Sequence, residues 1–444
     1  MKTQMDQQEL KQQYLSDFRE LEQQVSNHEP VWLHEIRKEA IQRFDEMGFP
    51  HNKQEEWRFT NIKPLLSQSF ARSSQAGDFP VELQDRYLVS KLDSHRLVFI
   101  NGVYVPERSE IDELPEGVVV CHLAEAISQH GDLLEPHFAR LGTYDDKPFA
   151  ALNTGLMLDG AFVYVPKGVQ IDKPIQVLYL TNTEGGESLV THPRTLIVAG
   201  PMAEFTVIEN FAGVPGQQYW TNAVTEIIGG ENCRAHVVKF QRESEEAYHV
   251  SNTQSLLSRD AHVTHHNIIF GGQLVRNDID AVLNGENVEC VLNGLYMGRD
   301  GQLIDNHTNL MHEKPHCNSW EMYKGILDDQ SQGIFKGKIF VQKDAQITDA
   351  KQTSQGLLLS EKAGLHAMPQ LEIYADDVKC THGATTGRLD EKALFYARSR
   401  GLSAKAARFL LTYAFASEII EQVPSEPLQE ELHQLLLERL PFEA

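Results

Sequence analysis

The chain has 444 residues, and its 40 Lys and Arg side chains stand against 63 Asp and Glu, which gives a formal net charge of −23 at pH 7. A chain of this length can bury a large core and divide into roughly two or three domains. Its negative charge would repel a phosphate backbone and an anionic membrane surface, so we expect neither nucleic acid nor membrane among its partners.

The spacing of the cysteines and the polarity of the N-terminal residues indicate the cellular compartment of the protein. The five cysteines are scattered and form no Cys-x-x-Cys pair, which argues against a disulfide framework and favours a reducing cytosol. The first residues are polar and lack the apolar segment of a secretory signal, and no apolar run is long enough to span a bilayer. We therefore expect a cytoplasmic protein.

Residues 1–150 are predicted to form a helical N-terminal region with one small β-hairpin. Apolar residues recur at intervals of three and four from residue 7 to about residue 48, which is the period of an amphipathic helix. Asn101 and Gly102 separate two apolar runs and predict a hairpin over 97–105. Shorter helical patterns follow between residues 123 and 141.

From about residue 155 to residue 385 the sequence consists of short apolar runs punctuated by Gly, Asn, Asp and Lys, without a convincing helix. At seven places a pair of apolar residues meets a turn, at positions 199, 229, 258, 284, 312, 342 and 360. The first five intervals are close to a period of about 28 residues, and the last interval is shorter.

This repeat in β-rich sequence predicts a solenoid for residues 151–385. One coil cannot bury its own apolar face, whereas stacked coils bury a continuous core and pair every strand with the coils above and below. A large sandwich or barrel is the alternative, but its strands recur about every 8–12 residues without a longer repeat. The open ends of a solenoid must be covered. The N-terminal helices are candidates to cap one end, and the other end lies near residues 370–385.

The C-terminal end of the predicted solenoid carries a candidate ligand pair. Residues 371–376 alternate between apolar and polar, which is the period of a strand, and Cys380 and His382 follow two residues apart. In an extended chain both side chains leave by the same face, where a thiol and an imidazole can hold a borderline metal or an iron–sulfur cluster. Such sites take about four protein ligands, so the pair is half of a shell. The alternative is a buried thiol and a hydrogen-bonded histidine at a strand end.

Three other groups of polar residues are interpreted as structural: His262, His265 and His266; His312, His316 and Cys317; Asp376 and Asp377. In a strand, His262 and His265 point to opposite faces, which disfavours a shared metal. The sequence contains no phosphate-binding loop, no nucleophile elbow and no complete catalytic constellation.

Residues 386–444 are predicted to be helical. Ser403 is a candidate N-cap for a helix whose wide apolar stripe includes Phe409, Leu410 and Tyr413, and a last amphipathic helix follows two prolines. The stripe either docks on the rest of this chain or forms an exposed platform for another protein. Periodicity leaves both interpretations open.

Two runs near the C-terminus are distinctive. Residues 369–384 read Pro-Gln-Leu-Glu-Ile-Tyr-Ala-Asp-Asp-Val-Lys-Cys-Thr-His-Gly-Ala, and Leu-Phe-Tyr-Ala-Arg-Ser-Arg-Gly follows at 394–401. This sequence closely resembles the SufB/SufD family of the SUF iron–sulfur cluster assembly system. Further matches to the family lie at 56–60, 158–160, 165–168, 323–325, 335–338, 349–352 and 357–360. Gly383 stands where the SufB branch carries an acidic residue, so the resemblance is to the SufD branch.

The resemblance implies a right-handed parallel β-helix between N-terminal and C-terminal helical regions, in a non-enzymatic assembly subunit. Such a subunit would pair with a SufB-like chain through the C-terminal end of the β-helix. It would dock a SufC-type ABC ATPase on its C-terminal helices, where Phe409, Leu410 and Tyr413 lie. His382 first and Cys380 second would bind iron, aiding its acquisition, or a transient iron–sulfur cluster at the interface with SufB. The isolated chain, as a monomer or homodimer, would hold no cofactor.

Two alternatives to this function remain. A SufB-like scaffold subunit would share the fold and differ in its role within the complex. A β-helix carbohydrate lyase or hydrolase would use Asp376 and Asp377 in acid–base chemistry. The sequence lacks the signal peptide that a secreted enzyme of that kind would carry, which argues against the second alternative.

Overall fold

Two parallel β-sheets, wound from one chain as a solenoid, dominate the molecule. The computed structural model describes residues 7–25, 29–89, 92–141, 144–183 and 186–440. In this part of the chain the protein is mainly β, with about eight solenoid turns between N-terminal and C-terminal helices. The predicted fold class is therefore confirmed. The sandwich alternative is wrong, because the strands that follow one another across each sheet run parallel.

The helices of the described ranges precede and follow the solenoid in the chain. They are α1 (Gln7–Val25), α2 (Val31–Met47), α3 (Lys63–Leu66), α4 (Val81–Tyr87), α5 (Leu123–Gln129), α6 (Gly131–Leu134), α7 (Pro148–Leu156), α8 (Glu391–Ser399), α9 (Ala404–Ile420) and α10 (Glu426–Arg439). Two single-turn 3-10 helices lie at Glu55–Trp57 and Pro106–Arg108. None of the described helices is both long enough and apolar enough to cross a membrane.

The predicted helices are confirmed in part. The pattern from residue 7 to about residue 48 forms α1 and α2. The helix predicted over 133–141 is wrong after Leu134, because α6 ends there and the described chain continues in turns. Helix α7 escapes sequence reasoning because all nine of its residues are buried. A helix without a polar face has no amphipathic period to detect.

The strands alternate between the two sheets. In chain order they are β1 (Ala71–Arg72), β2 (His95–Ile100), β3 (Val103–Tyr104), β4 (Val119–His122), β5 (Gly160–Val165), β6 (Ile175–Thr181), β7 (Leu189–Thr191), β8 (Arg194–Ala199), β9 (Glu204–Gly213), β10 (Tyr219–Gly229), β11 (Arg234–Arg242), β12 (Tyr248–Leu257), β13 (His262–Ile269), β14 (Leu274–Leu283), β15 (Glu289–Gly298), β16 (Leu303–His312), β17 (Asn318–Leu327), β18 (Gln332–Val341), β19 (Thr348–Leu358), β20 (Gly364–Ile373) and β21 (Val378–Gly387). The first sheet follows the order β20-β18-β16-β14-β12-β10-β8-β5-β4, with β1 and β7 at its side. The second sheet follows the order β21-β19-β17-β15-β13-β11-β9-β6-β2-β3.

The coils stack in register. In the first sheet Leu274 pairs with Leu303, which in turn pairs with Gln332 one coil further on. The turn positions at 199, 229, 258, 284, 312 and 342 all lie at the carboxyl ends of strands of this sheet, from β8 to β18. Position 360 follows β19, which belongs to the second sheet. The last interval in the sequence is shorter because it spans part of a coil.

Antiparallel strands finish the sheets at the first end of the solenoid. The predicted hairpin is confirmed as β2 and β3, where Phe99 pairs with Tyr104 and both Asn101 and Gly102 have positive φ. Strands β3 and β4 are the last of their sheets at this end. Helices α1, α2 and α7 share a core cluster with Trp220 of β10. They therefore cover an outer face of the first sheet, which corrects the expectation that they cap its end.

Alternate side chains of both sheets face inward and form the main core. On the outer face of the second sheet, α9 and α10 bury a separate cluster that includes Phe240, Ile268 and Leu432. The predicted division at 150/151 and 385/386 remains a proposal. Helix α7 crosses the first of these limits, and β21 runs past the second.

One corner of the solenoid repeats the same backbone conformation in successive coils. Residues with positive φ precede β9, β11, β13, β15, β17 and β19, namely Met202, Asn232, Asp260, Asn287, His316 and Ile347. Asn and Asp tolerate this left-handed region, whereas a β-branched residue is destabilised there by roughly 1–2 kcal/mol. Ile347 has φ 60° and is 52% exposed, so burial of its side chain offsets little of this strain.

Replacing Ile347 by Asn should raise the free energy of unfolding by about 1 kcal/mol, because Asn adopts the left-handed conformation more readily. Urea unfolding followed by circular dichroism measures the change. Ile373→Asn is the matched control, since Ile373 is an exposed isoleucine in strand β20. The control should not stabilise the protein, and an unchanged midpoint for Ile347→Asn would contradict the assignment of strain to this corner.

Candidate functional site

The C-terminal end of the solenoid leaves one strand of each sheet with a free edge. Within the described ranges β20 pairs with β18 and β21 pairs with β19, and each is the last strand of its sheet. Strand β19 buries alternate residues, whereas most of β21 is exposed because no further coil covers it. A free edge presents unpaired backbone N–H and C=O groups, which suits it to pairing with a strand of another chain.

Cys380 and His382 lie on the row of β21 that continues the inward-facing rows of the solenoid. Cys380 pairs with Ala350 of β19, and His382 pairs with Gln352. The thiol is half-buried against the main core, whereas the imidazole is exposed at the opening. Because the two residues are separated by one position on a strand, their side chains leave by the same face and can bind one ion together.

Its surroundings hold the thiol of Cys380 in the protonated form. Burial raises its pKa above the usual value, and the carboxylate of Asp349 on β19 raises this pKa further. The thiolate is the form that binds metals, so ligation by Cys380 requires its proton to leave as the metal arrives. His382, which is open to solvent, is therefore the better first ligand for an incoming ion.

The chain supplies half of a coordination shell at this end. Among the residues that the structure describes, no group of three or more His, Cys, Asp and Glu side chains is placed to hold a metal ion. Iron–sulfur clusters and structural metal sites take about four protein ligands. An ion or a cluster on Cys380 and His382 would therefore need further ligands from another chain.

The other histidine and cysteine side chains make separate contacts, and both ring nitrogens of His266 are buried without a hydrogen-bond partner in the described chain. His312 hydrogen bonds with a serine hydroxyl of β17 (2.9 Å), and the Sγ–H of Cys317 donates to a backbone carbonyl (3.2 Å). On β13, His265 is buried while His262 is partly exposed and lies 3.7 Å from a glutamate of β15. The expectation that His262 and His265 point to opposite faces is confirmed.

Sequence reasoning missed a charged groove on the outer face of the first sheet. The groove has a volume of about 350 Å³ and lies between the N-terminal region and strands β14, β16 and β18. The Arg276 guanidinium lies 4.4 Å from the ring centre of Trp57 and donates to an aspartate of its own strand (2.7 Å). Hydrogen bonds from His307 and Lys336 lower the pKa of Glu56 to about 2. These charged groups pair with one another across the groove. We therefore interpret the groove as an electrostatic contact that holds the N-terminal region on the first sheet.

The C-terminal apolar stripe is divided between a buried and an exposed face. Phe409 and Tyr413 pack against the cluster that joins α9 and α10 to the second sheet, and the Tyr413 hydroxyl lies 2.9 Å from Nδ1 of His433. Leu410, by contrast, is 48% exposed. Sequence reasoning missed Phe395 of α8, which is 74% exposed, because the exposure of one aromatic residue cannot be deduced from the period of so short a helix.

Family comparisons match both the N-terminal region and the solenoid. The family model described as SUF system FeS cluster assembly, SufBD core domain, matches residues 179–415, and the model of the SufBD protein N-terminal region matches residues 8–177. The chain belongs to the SufBD family. The core-domain match includes the open end of the solenoid with Cys380 and His382.

This SufBD-family chain is similar to its relatives over nearly their whole length. The iron–sulfur cluster assembly protein SufD of Escherichia coli is 33% identical over 408 residues, which cover 91% of this chain and 92% of that protein. An iron–sulfur cluster assembly SufBD family protein of Synechocystis is 32% identical over 418 residues, 92% of each chain. SufD of Bacillus subtilis is 27% identical over 440 residues, 95% of this chain and 96% of its own. The resemblance stated from the motifs is confirmed.

Replacing Asp349 by Asn should speed alkylation of Cys380 at pH 8 by roughly threefold, because removal of the nearby negative charge lowers the pKa of the thiol and leaves more of the reactive thiolate. Because burial is the larger cause of the raised pKa, the rate in both proteins should still climb as the pH increases above 8. Peptide-resolved mass spectrometry after iodoacetamide treatment measures the rate, and the other four cysteines are buried and should react slowly.

The control for this experiment is Asp300→Asn, at an exposed aspartate in another turn of the solenoid. It should leave the alkylation rate of Cys380 unchanged. Equal rates in the wild-type and Asp349→Asn proteins would show that the carboxylate does not act on the thiol.

Proposed function

We propose that this chain is a non-enzymatic subunit of an iron–sulfur cluster assembly complex and that it binds iron or a nascent cluster at the open end of its solenoid. Membership of the SufBD family supports the assembly role. The observation that carries the site is one imidazole and one half-buried thiol on an uncovered edge strand. The ion or cluster is cargo, and the isolated chain is not expected to retain it.

A SufB-like chain is the partner that we propose at this end. A second solenoid would bring free strand edges of its own, and pairing would satisfy the backbone groups that β20 and β21 leave open. Ligands from the partner would complete the shell around His382 and Cys380. The charge of the bound metal would then stabilise the thiolate of Cys380, whose proton is released. Isolated copies of this chain can use the same edges to form a homodimer.

The second partner that we propose is a SufC-type ABC ATPase, which would dock on helices α8 and α9. The exposed apolar side chains here are Phe395 and Tyr396 of α8, Leu402 between the two helices, and Leu410 of α9. Helix α8 rests on α9 through a small cluster around Leu394, so this face lies outside the main core. An exposed apolar face on helices suits docking into a groove of another protein. Because α8 follows β21 closely in the chain, a movement of the ATPase would reach the open end.

The remaining expectations follow from this assignment. Reduced cysteines are required for ligation, so we place the complex in the cytoplasm. The carbohydrate-enzyme alternative receives no support, since Asp376 and Asp377 are exposed in the turn before β21 and both matched families are SufBD families. Gly383, next to His382, favours a SufD-like role over a SufB-like one.

Replacing His382 by Ala should lower the iron and sulfide bound to the purified complex by about tenfold or more, since the exposed ligand would be lost. The complex is purified from cells that rely on this pathway, and both elements are assayed per complex. His262→Ala is the matched control, because His262 lies on the same sheet and faces outward far from the opening. Equal iron and sulfide in the two variants would refute the proposed role of His382.

The double variant Phe395→Glu and Leu410→Glu should no longer co-purify with the ATPase, because docking would bury two unpaired carboxylates. Circular dichroism should show an unchanged β-core. Val81→Glu is the control, since Val81 is an apolar residue on α4 whose exposure lies between those of Phe395 and Leu410. Phe409 and Tyr413 are unsuitable for this test because they pack within the chain itself. ATPase retained by the double variant would exclude this face as the docking surface.

A further inference from the structure

A column of buried polar side chains lies directly beneath His382. Glu321 of β17 pairs with Gln352 of β19, and Gln352 pairs with His382 of β21. Glu321 is 2% exposed and Gln352 is 0% exposed. Neighbouring strands lie about 4.8 Å apart, and paired residues of parallel strands project to the same side. The amide of Gln352 therefore lies one coil inward of His382 in the same row, and the carboxyl of Glu321 lies one coil deeper still.

The amide of Gln352 is hydrogen bonded at one end. Its Nε2–H donates to Oε2 of Glu321 at 2.7 Å. Its Oε1 is fully buried and has no hydrogen-bond partner within the described chain. A buried carbonyl oxygen without a donor is unfavourable, and native folds rarely leave one unpaired. Oε1 of Gln352 is therefore an acceptor without a donor, and it lies under His382, the residue of this row that can supply an N–H at the opening.

The opposite sheet confines this amide. A methyl group added at Gly337 of β18 would lie 2.7 Å from Cδ of Gln352, closer than a carbon atom can approach. Only glycine at this position leaves room for the amide, so packing holds the Gln352 side chain within the column. Glu321 then decides its orientation. Burial raises the pKa of this carboxyl to about 7, and the carboxylate present above that pH accepts from the NH2 end and turns the oxygen away from itself.

We infer that Gln352 and Glu321 are positioning residues for His382. The imidazole of His382 turns inward to donate one ring N–H to Oε1 of Gln352, which has no partner in the observed rotamer, and Glu321 holds the amide in the orientation that presents this oxygen. The ring nitrogen that donates is thereby fixed, and the lone pair of the other nitrogen stays free for an incoming metal ion. Acceptors that hold the second nitrogen of a ligating histidine in this way set its tautomer and raise its basicity.

The inference rests on the proposed function for the identity of the ion, whereas the hydrogen bond itself belongs to the chain alone. It assigns a role to two residues that have no contact with solvent and no place in the coordination shell. It also gives a reason for a buried carboxyl and a buried amide at the open end of a row that continues inward through Leu292, His265 and Val237.

The test uses the isolated full-length chain with 15N-labelled histidine, at a pH where the imidazole is neutral. Ring 15N chemical shifts report the tautomer of His382, which His382→Ala identifies in the spectrum. The wild-type chain should show one dominant tautomer. Gln352→Met keeps the volume and removes the acceptor, so it should give a mixture of both tautomers. It should also weaken binding of Zn2+ alone, followed on the same signals, by about tenfold.

Gln355→Met is the matched control, since Gln355 lies on the same strand and faces outward. It should retain the wild-type tautomer. Glu321→Gln provides a second test should Gln352→Met fold poorly, because it keeps the shape and lets the Gln352 amide turn either way. A wild-type tautomer in both column variants would overturn the inference.

The two proposals fail separately. Unchanged tautomers in the column variants would remove the positioning role and leave the proposed function untouched. Undiminished cluster assembly by His382→Ala, with altered tautomers in Gln352→Met, would remove the proposed function of His382 and keep the hydrogen bond.

Discussion

A parallel strand satisfies its backbone N–H and C=O groups only by pairing with neighbours in register, so each coil of the solenoid depends on the next. From β9 to β19 every strand has a neighbour on both sides within its sheet. The last coil has a neighbour on one side only. Because no further coil covers β21, its inward-facing row is exposed, whereas the same row is buried in the coils below. His382 therefore lies where a ligand or another chain can reach it.

The row that contains Cys380 shows what the opening changes. Below Cys380 the row passes through Ala350, Ser319 and Cys290, all of them buried. Burial raises the pKa of Cys290 far above its usual range, so that thiol is an inert part of the core. Cys380, which lies three coils away, is half-buried at the opening and shares its face of β21 with the exposed His382. In this row, the position of a cysteine along the solenoid axis decides whether its thiol only packs in the core or can react.

Local patterns predicted much of the fold because a solenoid repeats a local unit. Turn residues and apolar pairs recur once per coil, and Asn101 with Gly102 encodes its hairpin within a few residues. Helix α7 was missed because complete burial removes the polar face that a periodic pattern needs. The N-terminal helices were placed on the wrong surface, since an amphipathic stripe says that a face is buried and not what buries it. Their partner is Trp220 and its neighbours on the first sheet.

Short-range spacing in the chain is enough to predict stacked β-coils between helices, and to predict that Cys380 and His382 share a face. The folded arrangement of the coils was needed to show that the thiol is half-buried and the imidazole exposed, and that Tyr413 packs inward while Leu410 does not. The same arrangement brings Gln352 under His382. These features depend on the register between whole coils and on what covers each face. Contacts between residues a full coil apart set that register, and no local pattern encodes them.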